Sequence, residues 1–171
     1  MNPKFNLIIY HANEDDPKKC TAKKLARFKL VKLETNIRKT HRGAILLNPF
    51  AEKSLSKEDL VIAKKNGILA IDCSWKNAEK SFNFLDKINH SRSLPFVLAV
   101  NPVNYGKPFK LTTLEAFSAS LYILGFIEKA EEMLKLYKWA PNFLVLNKNP
   151  LEDYRNAESS KEVIKIMKKY F

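Results

Sequence analysis

The sequence predicts an α/β protein, mixed α/β over residues 1–110 and mainly helical over 111–171. Three observations carry that prediction. Short apolar runs at Ala44–Leu47, Ile68–Ile71 and Phe96–Val100 end abruptly in polar or proline stops, the mark of strands buried on both faces of a parallel sheet. Amphipathic stretches that open on capping residues lie between them. After residue 110 such runs give way to helical spacing, with capping boxes at Thr112–Glu115 and Ser159–Glu162.

In chain order, Phe5–Tyr10 reads as the first strand. Asp16 and Pro17 then start a helix, as cap and first helical residue. Thr21 to Phe28 sets Ala22, Leu25 and Ala26 on one face and Lys23, Lys24 and Arg27 on the other. That basic face suits either a phosphate backbone or plain solvent. Leu30–Leu33 alternates like a strand, and the basic turn Arg38-Lys39-Thr40-His41-Arg42 precedes a buried strand that stops at Asn48-Pro49. Ser56 to Asp59 opens a helix reaching about Asn66.

The stretch from Gly67 to Trp75 is central. Ile68–Ile71 is a strand, Asp72-Cys73-Ser74 stops it, and Trp75 begins a helix to about Asp86, with Ser74 as its natural N-cap. A carboxylate and an indole thus stand where a parallel strand hands over to a helix, the edge at which open α/β sheets bind ligands. A basic loop, Asn89–Pro95, leads to the apolar run Phe96–Val100, which reads as another buried strand and ends at Asn101-Pro102. Turn residues follow, with Tyr105 at the tip. The longest helix carries Leu114, Phe117, Leu121 and Leu124 on one stripe and the small residues Ala116, Ser118, Ala119 and Ser120 elsewhere. Helical segments at 126–137 and 143–156 and a last helix from Ser159 complete the chain.

Composition narrows the function. The 171 residues hold 30 Lys and Arg against 18 Asp and Glu, a net +12. The excess is +7 over residues 1–42, +4 over 43–110 and +1 over 111–171. A coat of lysines for solubility would not need that asymmetry, which points to a polyanion-binding face near the N-terminus. No apolar stretch is long enough to span a bilayer, and no signal-peptide pattern opens the chain, so a cytoplasmic protein without membrane attachment is expected. Cys20 and Cys73 have no CxxC spacing, and His11, His41 and His90 have no metal-ligand spacing, so no metal is expected. Four glycines cannot build a phosphate cradle, and GxGxxG, Walker and HExxH motifs are absent.

What remains is a cluster of strand-end residues: Leu47, Asn48 and Pro49; Ile71, Asp72 and Trp75; Leu94 and Pro95; and Tyr105. Apolar and aromatic groups beside backbone donors and one carboxylate suit a flat heteroaromatic ligand such as an adenine nucleoside.

Six motifs then carry a resemblance: Asp16-Pro-Lys-Lys-Cys-Thr-Ala-Lys-Lys-Leu25, Leu47-Asn-Pro49, Gly67-Ile-Leu-Ala-Ile-Asp-Cys-Ser-Trp75, Arg92-Ser-Leu-Pro95, Asn101-Pro-Val-Asn-Tyr-Gly106 and Leu111-Thr-Thr-Leu-Glu-Ala116. In this order the chain resembles the small-subunit rRNA aminocarboxypropyltransferases, in the archaeal form without an acidic tail. Its N-terminal part also looks like a segment grouped with a metal-binding region of an RNase L inhibitor, although its Cys and His content does not support that metal. The resemblance implies a SPOUT-like fold with a trefoil knot, S-adenosylmethionine as donor of the 3-amino-3-carboxypropyl group, and small-subunit rRNA or a pre-ribosomal particle as partner; a monomer is expected. The acceptor it implies is ring nitrogen 3 of a uridine-derived nucleotide, N1-methylpseudouridine in the best-known members.

Carried over by residue, the adenine would lie between Leu47, Pro49 and Trp75 on one side and Ala116 on the other. Backbone groups of Leu94 and Tyr105 would bond its edge, the Ile71 carbonyl the ribose, and Thr21 the amino-acid end. Trp75 and Ala78 would enclose the sulfonium methyl. Asp72 would orient the acceptor or take its proton, with a helix cap or a lysine partner as its structural alternative. Lys18, Lys19, Lys23, Lys24, Arg27, Arg38, Lys39, Arg42 and Arg92 are the candidates for rRNA phosphates. A SPOUT-type methyltransferase and a non-catalytic ribosome assembly factor are the competing functions.

Overall fold

The computed structural model describes residues 5–12, 21–72 and 75–171, with the backbone alone for Trp75. Its five described strands, β1 (Leu7–His11), β2 (Lys32–Glu34), β3 (Ile45–Leu47), β4 (Ile68–Asp72) and β5 (His90–Arg92), form one parallel sheet in the order β2-β1-β4-β3-β5. The expected α/β class is what the chain adopts. β4 is central: it pairs with β1 at all five positions, from Leu7↔Ile68 to His11↔Asp72, and with β3 on its other side.

Alternation along each strand sorts the apolar residues onto two faces. Ile8, Leu46 and Leu69 meet Ala78, Phe82 and Leu85 of α3 (Trp75–Asp86) on one face, with Tyr10 and Ile71 packed beside them. Leu7, Ile9, Ile45 and Ile68 take the other face and are also buried. Two covered faces explain why these runs are continuously apolar. Helix α1 (Thr21–Arg27) buries Ala22 and Leu25, and α2 (Leu60–Asn66) buries Ala63. The expected start of α1 at Asp16 and Pro17 lies outside the described residues.

One strand was expected in the wrong place. The supposed loop at 89–95 contains β5, which pairs with β3 from Ile45↔His90 to Leu47↔Arg92. An edge strand needs hydrogen bonds on one side and no apolar faces, so His-Ser-Arg serves. The apolar run Phe96–Val100 is not a strand of this sheet. Val97, Ala99 and Val100 are buried as their character demands, but their backbone is satisfied elsewhere. Asn147 bonds both the N–H and the carbonyl of Leu98, at 2.8 and 2.9 Å. Ala99 N–H reaches the Lys107 carbonyl, and Val100 N–H reaches the Glu115 carboxylate. Apolar content predicted burial correctly and pairing wrongly.

Gly67 is the tightest point of the sheet. Its φ is +85°, and a Cβ there would sit 2.4 Å from the Asn6 carbonyl oxygen, itself the acceptor of the Ile68 N–H. Gly67→Ala therefore adds both left-handed strain and a backbone clash. It should lower stability by about 2 kcal/mol, read as a drop in denaturant midpoint at constant slope.

The chain divides into two compact units, Met1–Asn48 with Val61–Arg92, and Pro49–Leu60 with Ser93–Phe171. The division falls after Arg92 rather than at residue 110. Segment 49–60 belongs to the later unit because Ser54 pairs with Ser93, Leu55 N–H bonds Ser93, and Ser54 N–H bonds Ser160 Oγ.

The second unit is built on α4 (Thr113–Ile123), with α5 (Ile127–Leu134), α6 (Asn142–Leu146), α7 (Lys148–Asn156) and α8 (Ser160–Met167). The Thr112–Glu115 box forms as expected. Leu114, Phe117 and Leu121 are fully buried. The small residues of α4 admit a neighbouring helix: Ser118 Oγ donates to the Ala130 carbonyl of α5 at 3.2 Å.

Between α4 and α7, Tyr122 donates to Glu152 at 2.7 Å, and Arg155 bonds the same carboxylate. Arg155 first and Tyr122 second hold Glu152 down to about 2, while burial and that carboxylate push Tyr122 up to about 12. A carboxyl lowered on folding contributes stability above its unfolded value of 4.5 and loses it as pH falls toward 2. Screening at this partly exposed pair keeps the contribution below about 1 kcal/mol. Glu152→Gln should therefore flatten the fall in melting temperature between pH 4.5 and 2.

Candidate active site

At the carboxyl edge of the first unit, β4 ends on Asp72 and β1 on His11, and the two are register partners. By alternation both side chains leave the sheet on the face opposite α3. Asp72 Oδ2 lies 3.7 Å from His11 Nε2, with Asp72 22 % and His11 1 % exposed. The Ala12 N–H donates to the Asp72 carbonyl at 3.1 Å, closing the strand pair. This is a carboxylate open to solvent on one side and backed by a buried imidazole, at ion-pair distance if the ring is protonated. Such a carboxylate can accept a proton from a ligand or orient an N–H donor.

Sequence reasoning weighed a helix cap or a lysine as the partner of Asp72 and missed His11. The two are distant in the chain, and only the β1–β4 register brings them together. The signal available was that His11 directly follows an apolar strand. Cys73 and Ser74 lie outside the described residues, as do Lys18, Lys19 and Cys20.

The expected cofactor residues fall into two groups. In the first unit, Leu47 ends β3, Ile71 is the penultimate residue of β4, and Trp75 opens α3. Leu47 is buried, and Ile71 and Thr21 are half-buried. Ala78 sits in the core beneath α3, on the face Asp72 does not share, so it anchors the first turn of that helix onto the sheet. In the second unit, Pro49 and Tyr105 are exposed, and Leu94 and Ala116 half-buried.

Glu115 organises this second group, and its role was only half legible. The carboxylate is fully buried. One oxygen accepts from the N–H of Val100 at 2.7 Å and of Asn101 at 3.0 Å. The other accepts from Asn101 Nδ2, Thr112 N–H and Thr112 Oγ1. Asn101 in turn donates to the Lys110 carbonyl and accepts from the Asn104 N–H. Both ends of the loop carrying Tyr105 are thus tied to one carboxylate.

Among the described residues, the candidate RNA cations sit on several elements. Lys23, Lys24 and Arg27 lie on α1, with Arg27 over the Phe28 ring at 5.5 Å. Arg38 and Lys39 occupy a single 3-10 turn after β2, and Arg42 precedes β3. Arg92 ends β5, at the opposite edge of the sheet from β2.

Two family models match the chain: "Ribosome biogenesis protein, C-terminal" over residues 45–171, and "Possible Fer4-like domain in RNase L inhibitor, RLI" over 5–40. An iron–sulfur cluster of the four-thiolate kind does not fit a chain with two cysteines. The 16S rRNA aminocarboxypropyltransferase of Methanosarcina mazei is 50 % identical over 96 % of this chain and 94 % of its own. That of Methanocaldococcus jannaschii is 48 % identical over 96 % and 95 %. Among solved structures, the SAM-dependent rRNA:acp-transferase Tsr3 from Vulcanisaeta distributa matches with a TM-score of 0.86 and 39 % identity, over 97 % of this chain and 95 % of that one. In sequence from end to end, and in fold, this chain belongs to the 16S rRNA aminocarboxypropyltransferase family.

Proposed function

We propose that this protein transfers the 3-amino-3-carboxypropyl group of S-adenosylmethionine to ring nitrogen 3 of a uridine-derived nucleotide, N1-methylpseudouridine or uridine, in small-subunit rRNA. The observation that carries the reading is the near-complete coverage in both directions of relatives bearing that one activity. The finer reading includes a knotted, SPOUT-like arrangement of the chain and a monomer working in the cytoplasm. No helix among the described residues is long and apolar enough to cross a membrane.

Two observations, one in each unit, support this donor: the parallel sheet ends on Ile71 and Asp72 at its carboxyl edge, and the Glu115 carboxylate holds both ends of the loop that carries Tyr105. Leu47, Pro49, Trp75 and Ala116 would flank the adenine, and the backbone of Leu94 and Tyr105 would bond its edge. The Ile71 carbonyl would take the ribose and Thr21 the amino-acid end. Trp75 and Ala78 would enclose the sulfonium methyl. When bound, S-adenosylmethionine supplies a sulfonium that activates the carbon to be transferred.

The protein's task is then selection and proton removal. One bond forms from the acceptor nitrogen to the aminocarboxypropyl carbon as that carbon's bond to sulfur breaks, and the imide proton leaves. Asp72 would orient the imide N–H or take that proton, with His11 3.7 Å behind it. Lys18, Lys19, Lys23, Lys24, Arg27, Arg38, Lys39, Arg42 and Arg92 would meet rRNA phosphates.

Incubation of a small-subunit rRNA fragment with donor labelled separately in the methyl and carboxyl carbons tests the reading. Carboxyl label in the RNA is the expected result. Methyl label alone would make the protein a methyltransferase, and no label with retained RNA binding an assembly factor.

A further inference from the structure

The second unit displays a surface that the proposed chemistry leaves unused. Its hairpin is closed by a Leu98↔Pro108 bridge and by bonds from Ala99 N–H to Lys107 and from Gly106 N–H to Ala99, at 3.0 and 2.8 Å. The Glu115 network fixes its base. A loop held this firmly still leaves Val103 (83 %) and Tyr105 (60 %) exposed to water.

Helix α6 stands beside it. Asn147 clasps the backbone of Leu98, and Asn142 Nδ2 donates to the Tyr105 hydroxyl at 3.5 Å. Val145 and Leu146, three and four residues after Asn142, share its side of the helix and are exposed. Apolar groups gathered this way on a surface mark a site of interaction.

The charge of the two segments points to the partner. No Asp or Glu occurs in residues 87–114 or 133–151, the segments that meet at Tyr105 and Asn142. Lys107 and Lys138 from these segments are exposed. The near-neutral balance of residues 111–171 hides this, because the carboxylates there are concentrated in α5 and beyond residue 151. An exposed tyrosine on two segments that carry exposed lysines and no carboxylate of their own suits an unpaired base and its flanking phosphates.

We propose that the hairpin and α6 form a second RNA-binding surface, on which the Tyr105 ring stacks an unpaired base of the rRNA while Lys107 and Lys138 meet phosphates. This rests on the rRNA substrate of the proposed function, and adds a contact in the second unit to cations that all lie in the first. It uses the Tyr105 ring, not the backbone assigned to the adenine.

Titration of a small-subunit rRNA hairpin with the full chain, without cofactor and over a range of salt, tests it. Tyr105→Leu should weaken binding about tenfold, and Tyr105→Phe, which keeps the ring, should restore it. Lys107→Gln with Lys138→Gln, both at exposed positions that spare the fold, should reduce the slope of log affinity against log salt by about 1.4. Wild-type affinity and slope in Tyr105→Leu and in the double lysine variant, with a loss in Lys23→Gln/Arg27→Gln, would overturn this surface and leave the function intact. Failure of the wild-type chain to bind the hairpin would overturn both.

Discussion

Glu115→Ala should leave a protein that is much less stable and no longer binds the cofactor tightly. Five hydrogen bonds converge on this buried carboxylate, and truncation strands the N–H groups of Val100 and Asn101 away from water. Unsatisfied buried donors cost about 1–3 kcal/mol each, so a loss of about 4 kcal/mol is expected from chemical denaturation. Glu115→Gln separates the two roles of the site. The amide keeps one acceptor oxygen but turns its other end into a donor facing the donors of Asn101 and Thr112. Calorimetry should show weaker S-adenosylmethionine binding in this variant even where it is folded, because the Tyr105 loop loses one of its two anchors. Unchanged cofactor affinity in a folded Glu115→Gln protein would mean that this loop does not hold the donor.

Asp72→Asn should bind cofactor as the wild type does and transfer the aminocarboxypropyl group about 100-fold more slowly or worse. The substitution keeps the size and polarity of the side chain and removes its capacity to accept the imide proton. Because Asp72 is a register partner of His11 at a strand end, the backbone has no reason to move. Single-turnover transfer to an rRNA fragment, beside calorimetric cofactor binding, makes the measurement. Full activity in Asp72→Asn would reduce the residue to a structural neighbour of His11.

Much of this could be read from the residues, because the strongest cues were local. Gly67–Asp72 declared a buried strand through four consecutive apolar residues, and the Thr112–Glu115 box declared a helix start through its own side chains. Local cues failed where the decisive partner was remote. Phe96–Val100 looked like a sheet strand because nothing in it announces that Asn147 and Glu115 take over its backbone bonds. His90–Arg92 looked like a loop because an edge strand need carry no apolar signature. His11 escaped notice for the same reason, since its meaning depends on which strand lies next to β1.

The route of the chain has a consequence for dissection. The peptide passes between the two compact units three times, after Asn48, Leu60 and Arg92. A fragment ending at Arg92 would carry Pro49–Leu60 without Ser93 and Ser160, which satisfy its backbone. One ending at residue 110 would separate the Tyr105 hairpin from Glu115. Neither piece contains a complete set of its own partners, so a cut at either point costs both products part of their backbone hydrogen bonding.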